Sequence, residues 1–233
     1  MAVPVYLQPA LILQQRPYRE TSLLLEVFSR DFGILPMLAK GVRKPKSKLA
    51  GVLQPFQLVR LTFLDQNALK LLTEAELVES YPLQKLGLYC GFYLNELLQK
   101  FLHHHDPYPE LFDNYRHSLQ ALQQPLAIET TLRYFELELL SQTGYAPELT
   151  IDSCSQLPVS PELRYNYQSG QGLTAAHLGH IAGRTLLQLA QRQALDNMAM
   201  VEAKRLLRIL LDEHLQGKPL QSREVLAKML KYL

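Results

Sequence analysis

Between Phe32 and Leu64 the chain carries six basic residues, Lys40, Arg43, Lys44, Lys46, Lys48 and Arg60, and no acid. Five of them crowd into Lys40-Gly41-Val42-Arg43-Lys44-Pro45-Lys46-Ser47-Lys48. Cations at this density attract polyanions even where the whole chain is near neutral, here +2. On a loop, Lys and Arg can follow phosphates of irregular spacing, while Ser47 or backbone N–H groups add neutral contacts. The plainer reading of the same charges is a solvated loop kept soluble by its lysines. A second set, Lys204, Arg205 and Arg208, stands at helical spacing. It either extends a nucleic-acid surface or forms the wet side of its helix. Phe56 is the nearest ring that could stack on a base, but between Pro55 and a strand it reads as core.

Enzyme signatures are mostly missing, and no catalytic residue is expected. No Gly-rich run ends in Gly-Lys-Ser or Gly-Lys-Thr, and no strand leads into a dinucleotide-binding turn. Glu136 and Glu138 diverge on a helix and make poor partners for one proton transfer or one metal. His103, His104 and His105 would point about 100° apart on a helix, so a frayed helix end before Pro107 fits them better than a metal site. Cys154 with His177 and His180 offers three ligands in principle, yet both histidines are equally at home on a polar helix face. Cys90 sits on an apolar stripe as an inert thiol. Two cysteines make neither a disulfide framework nor a cysteine-only zinc site. No metal or cofactor is expected. The N-terminus lacks the marks of a secretion signal, and no run approaches the roughly 18–20 apolar residues of a membrane span. The expectation is a cytoplasmic protein without a membrane.

These side chains must be held by a scaffold. With 233 residues, 47% of them apolar, one or two domains with a real core are expected. Charge is uneven: residues 1–80 carry ten basic and seven acidic side chains (+3), residues 81–200 seven and eleven (−4), residues 201–233 seven and four (+3). Short apolar runs at Ala10–Leu13, Leu23–Phe28, Ile34–Ala39, Leu58–Leu64 and Leu69–Leu72 read as five strands. The nearly continuous run at Leu23–Phe28 reads as a strand buried on both faces, and Arg30-Asp31-Phe32-Gly33 as a hairpin turn. Five strands in about 80 residues suit a small barrel of oligonucleotide-binding (OB) or SH3-like type. From about Gln84 the apolar spacing becomes helical: Leu86, Tyr89, Cys90, Tyr93, Leu94, Leu97, Leu98 and Phe101, then Leu111, Phe112, Tyr115, Leu119 and Leu122. Pro125 opens a third helix, which Gly144 ends. Residues 145–173 show no period and read as an irregular insert. Helices are expected to resume near Thr174, across Asn197–Leu215, and from Ser222 (as a cap) to Leu230, with Gly217 closing the penultimate one. The domains are thus 1–80, a barrel, and 81–233, helical with the insert 145–173.

Several blocks carry a resemblance. Arg16-Pro17-Tyr18-Arg19-Glu20-Thr21-Ser22-Leu23-Leu24-Leu25, then Ala39-Lys40-Gly41-Val42-Arg43 with Ser47, and Leu53-Gln54-Pro55-Phe56 resemble the opening of the bacterial RecO family of recombination mediators. Tyr89 with Tyr93, Asn95, Glu96 and Leu97, Arg133-Tyr134-Phe135-Glu136-Leu137 with Leu140 and Gly144-Tyr145, and Gly217-Lys218-Pro219-Leu220-Gln221-Ser222-Arg223-Glu224 follow in the family's order. The resemblance implies an α+β chain: an N-terminal five-stranded OB-fold barrel, then an α-helical domain with an insert that holds zinc in many relatives. Here that insert is degenerate, since only Cys154 remains of two Cys pairs, with Leu157 where the first pair would close.

The resemblance also implies a non-catalytic mediator of DNA repair and recombination, nucleoid-associated during repair. Its partners would be single- and double-stranded DNA, single-stranded-DNA-binding protein and RecR. It would anneal complementary strands without ATP and help load recombinase on coated DNA. The basic residues Lys40, Arg43, Lys44, Lys46, Lys48, Arg60, Lys204, Arg205 and Arg208 are the DNA-contact candidates. Arg133, with Arg116 as a second cation, is the candidate for the acidic tail of single-stranded-DNA-binding protein; the bland alternative pairs Arg133 with Glu129 or Glu136. A non-catalytic interaction scaffold is the other reading of the whole chain, and a nuclease lacks its carboxylate cluster.

Overall fold

The computed structural model describes residues 3–65 and 67–229. They form two compact units, one built from the residues up to Pro125 together with those from Val225 on, the other from Leu126–Glu224.

The first unit is centred on a closed five-stranded barrel, β1(Val3–Tyr18), β2(Ser22–Ser29), β3(Gly33–Ala39), β4(Gln57–Asp65) and β5(Lys70–Ser80). Its order, β1-β2-β3-β5-β4, closes because β1 is long enough to serve two neighbours. The early part of β1 pairs with β4 and the later part with β2, and register shifts at Val5/Gln8 and Ile12/Gln14 bend it between the two. A short parallel pairing, Met37–Ala39 of β3 with Lys70–Leu72 of β5, completes the ring. Alternation along the strands sends Ala10, Ile12, Val27, Leu35, Met37, Val59, Leu61 and Phe63 to the interior, each fully buried.

Two helices, α1(Lys85–Phe101) and α2(Pro109–Ala121), cover part of the outer wall. Asn95 of α1 donates its amide to the Leu13 carbonyl at 2.8 Å and accepts from the buried Tyr115 hydroxyl of α2. Phe28 meets Phe112 edge-on at 5.4 Å. Hence Phe28 is buried although it faces outward from the barrel, and β2 is covered on both faces at this end. Gly33 is needed twice over. Its φ of +66° suits the turn, and a Cβ there would lie 2.0 Å from the Asp106 carbonyl oxygen. The three histidines lie past the helix, which ends at Phe101. His104 bridges to Ile34 and reaches Glu26 at 3.2 Å.

The second unit holds α3(Ile128–Gln142), then β6(Arg164–Gln168), β7(Gly172–Ala175) and β8(Ile181–Ala182) in a three-stranded sheet, then α4(Gly183–Ala190) and α5(Asn197–His214). The last helix, α6(Gln221–Met229), begins in this unit. Residues 145–173 are therefore less irregular than expected, since β6 and the start of β7 fall within them. Tyr165 and Tyr167 alternate along β6, and Gly170 and Gly172, both at positive φ, turn the chain back. Helix does not resume near Thr174 either: β7 runs to Ala175 and α4 starts only at Gly183. Ser222 is not a cap but lies inside α6, while Asp196 caps α5 by accepting from the Ala199 N–H at 2.8 Å.

Candidate nucleic-acid interface

The basic stretch leaves β3 at Lys40 and returns to the barrel at β4. It is a pinned structure rather than a free strand. Val42 and Leu53 are sunk in the barrel core, 1% and 0% exposed. Between them a chain of backbone bonds, Lys44 N–H to Gly41 and Ser47 N–H to Lys44, leads into a single helical turn at Lys48–Ala50. With both ends anchored inward, Lys40, Arg43, Lys44, Lys46 and Lys48 all project into water. Phe56 is core, 5% exposed and packed on Phe92 with ring centroids 4.9 Å apart.

The loop is also fastened to the β1–β2 turn. The Arg43 N–H donates to the Thr21 carbonyl at 2.8 Å, and its guanidinium donates to the Arg19 carbonyl at 3.1 Å. This brings Arg19, exposed on that turn, beside the loop, with Arg16 three residues earlier on β1. In the chain Arg16 and Arg19 lie some twenty residues from the loop, so the sequence marks them only as part of a block resembling the family. A hairpin turn facing the end of β3 would have been the signal.

Arg60 is placed differently. On β4 it stands across from Pro9 and from Glu76 of β5, whose neighbours Glu74 and Glu79 are also exposed. Lys204, Arg205 and Arg208 belong to the other unit. All three are exposed on α5, where Arg208 contacts Asp212 at 3.6 Å. On the same exposed arc lie Met198, Val201 and Ile209, at 69%, 65% and 44% exposure. That face is therefore half apolar rather than a simple cationic stripe.

Arg133 and Arg116 fall in different units. Arg133 on α3 is buried and ion-paired to Glu136 at 2.6 Å, with side-chain exposures of 8% and 2%. Among the described residues its Nε has no hydrogen-bond partner. Arg116 on α2 meets Glu79 and the Tyr81 hydroxyl, both at 3.4 Å. That hydroxyl contact raises the Arg116 pKa further, so the guanidinium stays charged.

The side chains at the insert do not fit the four ligands of a structural zinc. Cys154, His177 and His180 are exposed, and among the described residues no three His, Cys, Asp or Glu side chains gather. The nearest carboxylate, Asp152, already accepts three backbone N–H groups, from Cys154 and Ser155 at 2.9 Å each and from Ala175 at 2.7 Å. These bonds, led by Ser155, hold its pKa below the usual value despite burial. Glu202 of α5 does the same for the other edge of the sheet. It accepts from the Thr185 hydroxyl at 2.6 Å, the Ala182 N–H at 3.0 Å and Arg164 at 2.7 Å. Burial pushes its pKa up, but the three donors outweigh that and the net shift is downward.

Residues 1–81 match the family model "Recombination protein O N terminal" and residues 86–224 match "Recombination protein O C terminal". The DNA repair protein RecO of Methylococcus capsulatus is 41% identical over 95% of this chain and 93% of its own length. That of Photobacterium profundum is 41% identical over 94% of each. The RecO protein of Actinobacillus succinogenes aligns over 100% of both chains at 39% identity. With both halves matched in order and relatives aligned almost end to end, this chain belongs to the RecO family.

Proposed function

We propose that this protein is a DNA repair and recombination mediator that binds single- and double-stranded DNA through the basic end of its barrel. In this reading it anneals complementary strands without ATP. With RecR it helps recombinase onto DNA coated by single-stranded-DNA-binding protein, in the bacterial cytoplasm. The observation that carries it is the pinned loop Lys40–Lys48, whose cations all face water and which is fastened through Arg43 to the Arg19 turn. A loop serving solubility alone needs no such anchoring. Two complementary strands repel one another; a surface that neutralises several phosphates on each lowers that repulsion and releases counterions. No nucleotide hydrolysis is needed for this.

The test is a salt titration of DNA binding. Replacing Arg43, Lys44, Lys46 and Lys48 with Ala should remove roughly 3–4 phosphate contacts and flatten the slope of log affinity against log salt to match. The lysines are exposed charges that contribute little to folding, and the backbone bond from the Arg43 N–H to the Thr21 carbonyl survives the loss of its side chain, so the melting temperature should shift only slightly. A quadruple variant with the wild-type slope would place DNA elsewhere on the molecule.

A further inference from the structure

We infer that Tyr18 and Arg19 form a stacking platform for an unpaired base, so that the basic end of the barrel prefers single-stranded over duplex DNA. This rests on the DNA-binding reading above and adds to it the form of DNA that the site selects. The Tyr18 ring is half-buried at the end of β1, and the Arg19 guanidinium lies over it, 5.3 Å from the ring centroid. Arg19 adopts a left-handed φ of 50° to turn the chain there. Such a conformation is uncommon for a residue with a side chain and persists where surrounding contacts hold it. One of those contacts is the bond from the Arg43 guanidinium to the Arg19 carbonyl at 3.1 Å. This cation–π pair is thereby joined to the loop that carries Lys44, Lys46 and Lys48.

The chemistry of the pair selects its ligand. A guanidinium beside an aromatic ring offers a base a π face and a cation together. Every base has a π face, so the contact is tolerant of sequence. Inside a duplex both faces of each base are already covered by neighbours, so unpaired bases offer many more faces to the pair than a duplex does at its two ends. Phosphates on either side of that base would meet Arg16, Arg43 and the lysines of the loop. Other rings fit less well. Phe56 is packed on Phe92, and Phe32 on Phe63 at 5.8 Å. Tyr6 is exposed, but on the stretch of β1 that borders β4, with Glu74 and Glu76 on the next strand. Acids so placed repel a phosphate backbone.

The chain contains no Trp, so Tyr18→Trp introduces a single indole whose emission reports directly on stacking. Titrated with a 15-nucleotide oligo-dT, Tyr18→Trp should be strongly quenched; a mixed 15-base-pair duplex should quench it far less at equal saturation. In parallel, anisotropy on the two DNAs should show Tyr18→Ala lowering the ratio of single-strand to duplex affinity on the order of 10-fold, with Tyr18→Phe restoring it. An unquenched indole at saturation, or a ratio unchanged in Tyr18→Ala, overturns the platform while leaving DNA binding through the loop intact. Wild-type protein that binds neither DNA at low salt overturns the underlying reading as well. A melting temperature of Tyr18→Trp close to wild type shows that the fold carrying the indole is the native one.

Discussion

The guanidinium of Arg133 is committed to Glu136, with both side chains almost wholly out of water. Removing one partner takes the ion pair away from a charge that stays buried, which typically costs about 3–5 kcal/mol. Arg133→Ala is accordingly expected to lower stability by that much, read from the denaturant midpoint. The double variant Arg133→Met with Glu136→Leu replaces both charges by apolar groups of similar size and should recover most of the loss. That stable double variant also separates structure from recognition. If it binds a tail peptide of single-stranded-DNA-binding protein as wild type does, Arg133 is structural; lost binding would make Arg133 the receptor for the carboxylate. The spacing of Arg133 and Glu136, three apart on a helix, was legible from residue types alone. Their burial was not, because charged side chains are ordinarily read as surface.

Among elements, the insert between α3 and α4 departs furthest from its sequence reading. Where zinc-binding relatives are expected to use cysteine pairs, this chain turns its knuckle around a carboxylate. Asp152 draws Cys154, Ser155 and Ala175 together, and so ties the turn to β7. Asp152→Ala should destabilise this unit on the order of 3 kcal/mol, as expected for losing bonds to a charged acceptor. Faster amide hydrogen exchange at Cys154, Ser155 and Ala175 would localise the effect. The pH dependence follows from the depressed pKa. The contribution is fully present above the unfolded carboxylate value of about 3.9 and is lost as pH falls through the lower folded value. Acid unfolding of wild type should therefore be steeper below about pH 4 than that of Asp152→Ala. A chelator should leave the melting temperature of wild type unchanged; a fall would mean that a metal holds the insert after all. The alternation of Tyr165 and Tyr167 and the glycines at 170 and 172 were available as a hairpin signal. Three prolines in the same stretch masked it, and the strand is only five residues long.

For the molecule as a whole, a net charge of +2 gives little attraction to DNA, so binding must come from local fields. Annealing of two complementary oligonucleotides should then slow steeply between about 50 and 200 mM salt, and proceed equally well without ATP and with a chelator. A requirement for either ATP or a divalent metal would contradict annealing by charge neutralisation. The five apolar runs, the switch to helical spacing near residue 84 and the ordered blocks shared with RecO were all legible in the chain. They are local properties: alternation, periodicity and the identity of successive residues. The meeting of Arg19 with Arg43, the acidic neighbours of Arg60, the apolar flanks of Arg205 and the burial of Arg133 were not. Each depends on which strand lies beside which, or on which helix face turns inward. Those choices are made by long-range packing between segments that carry no mark of one another in the chain.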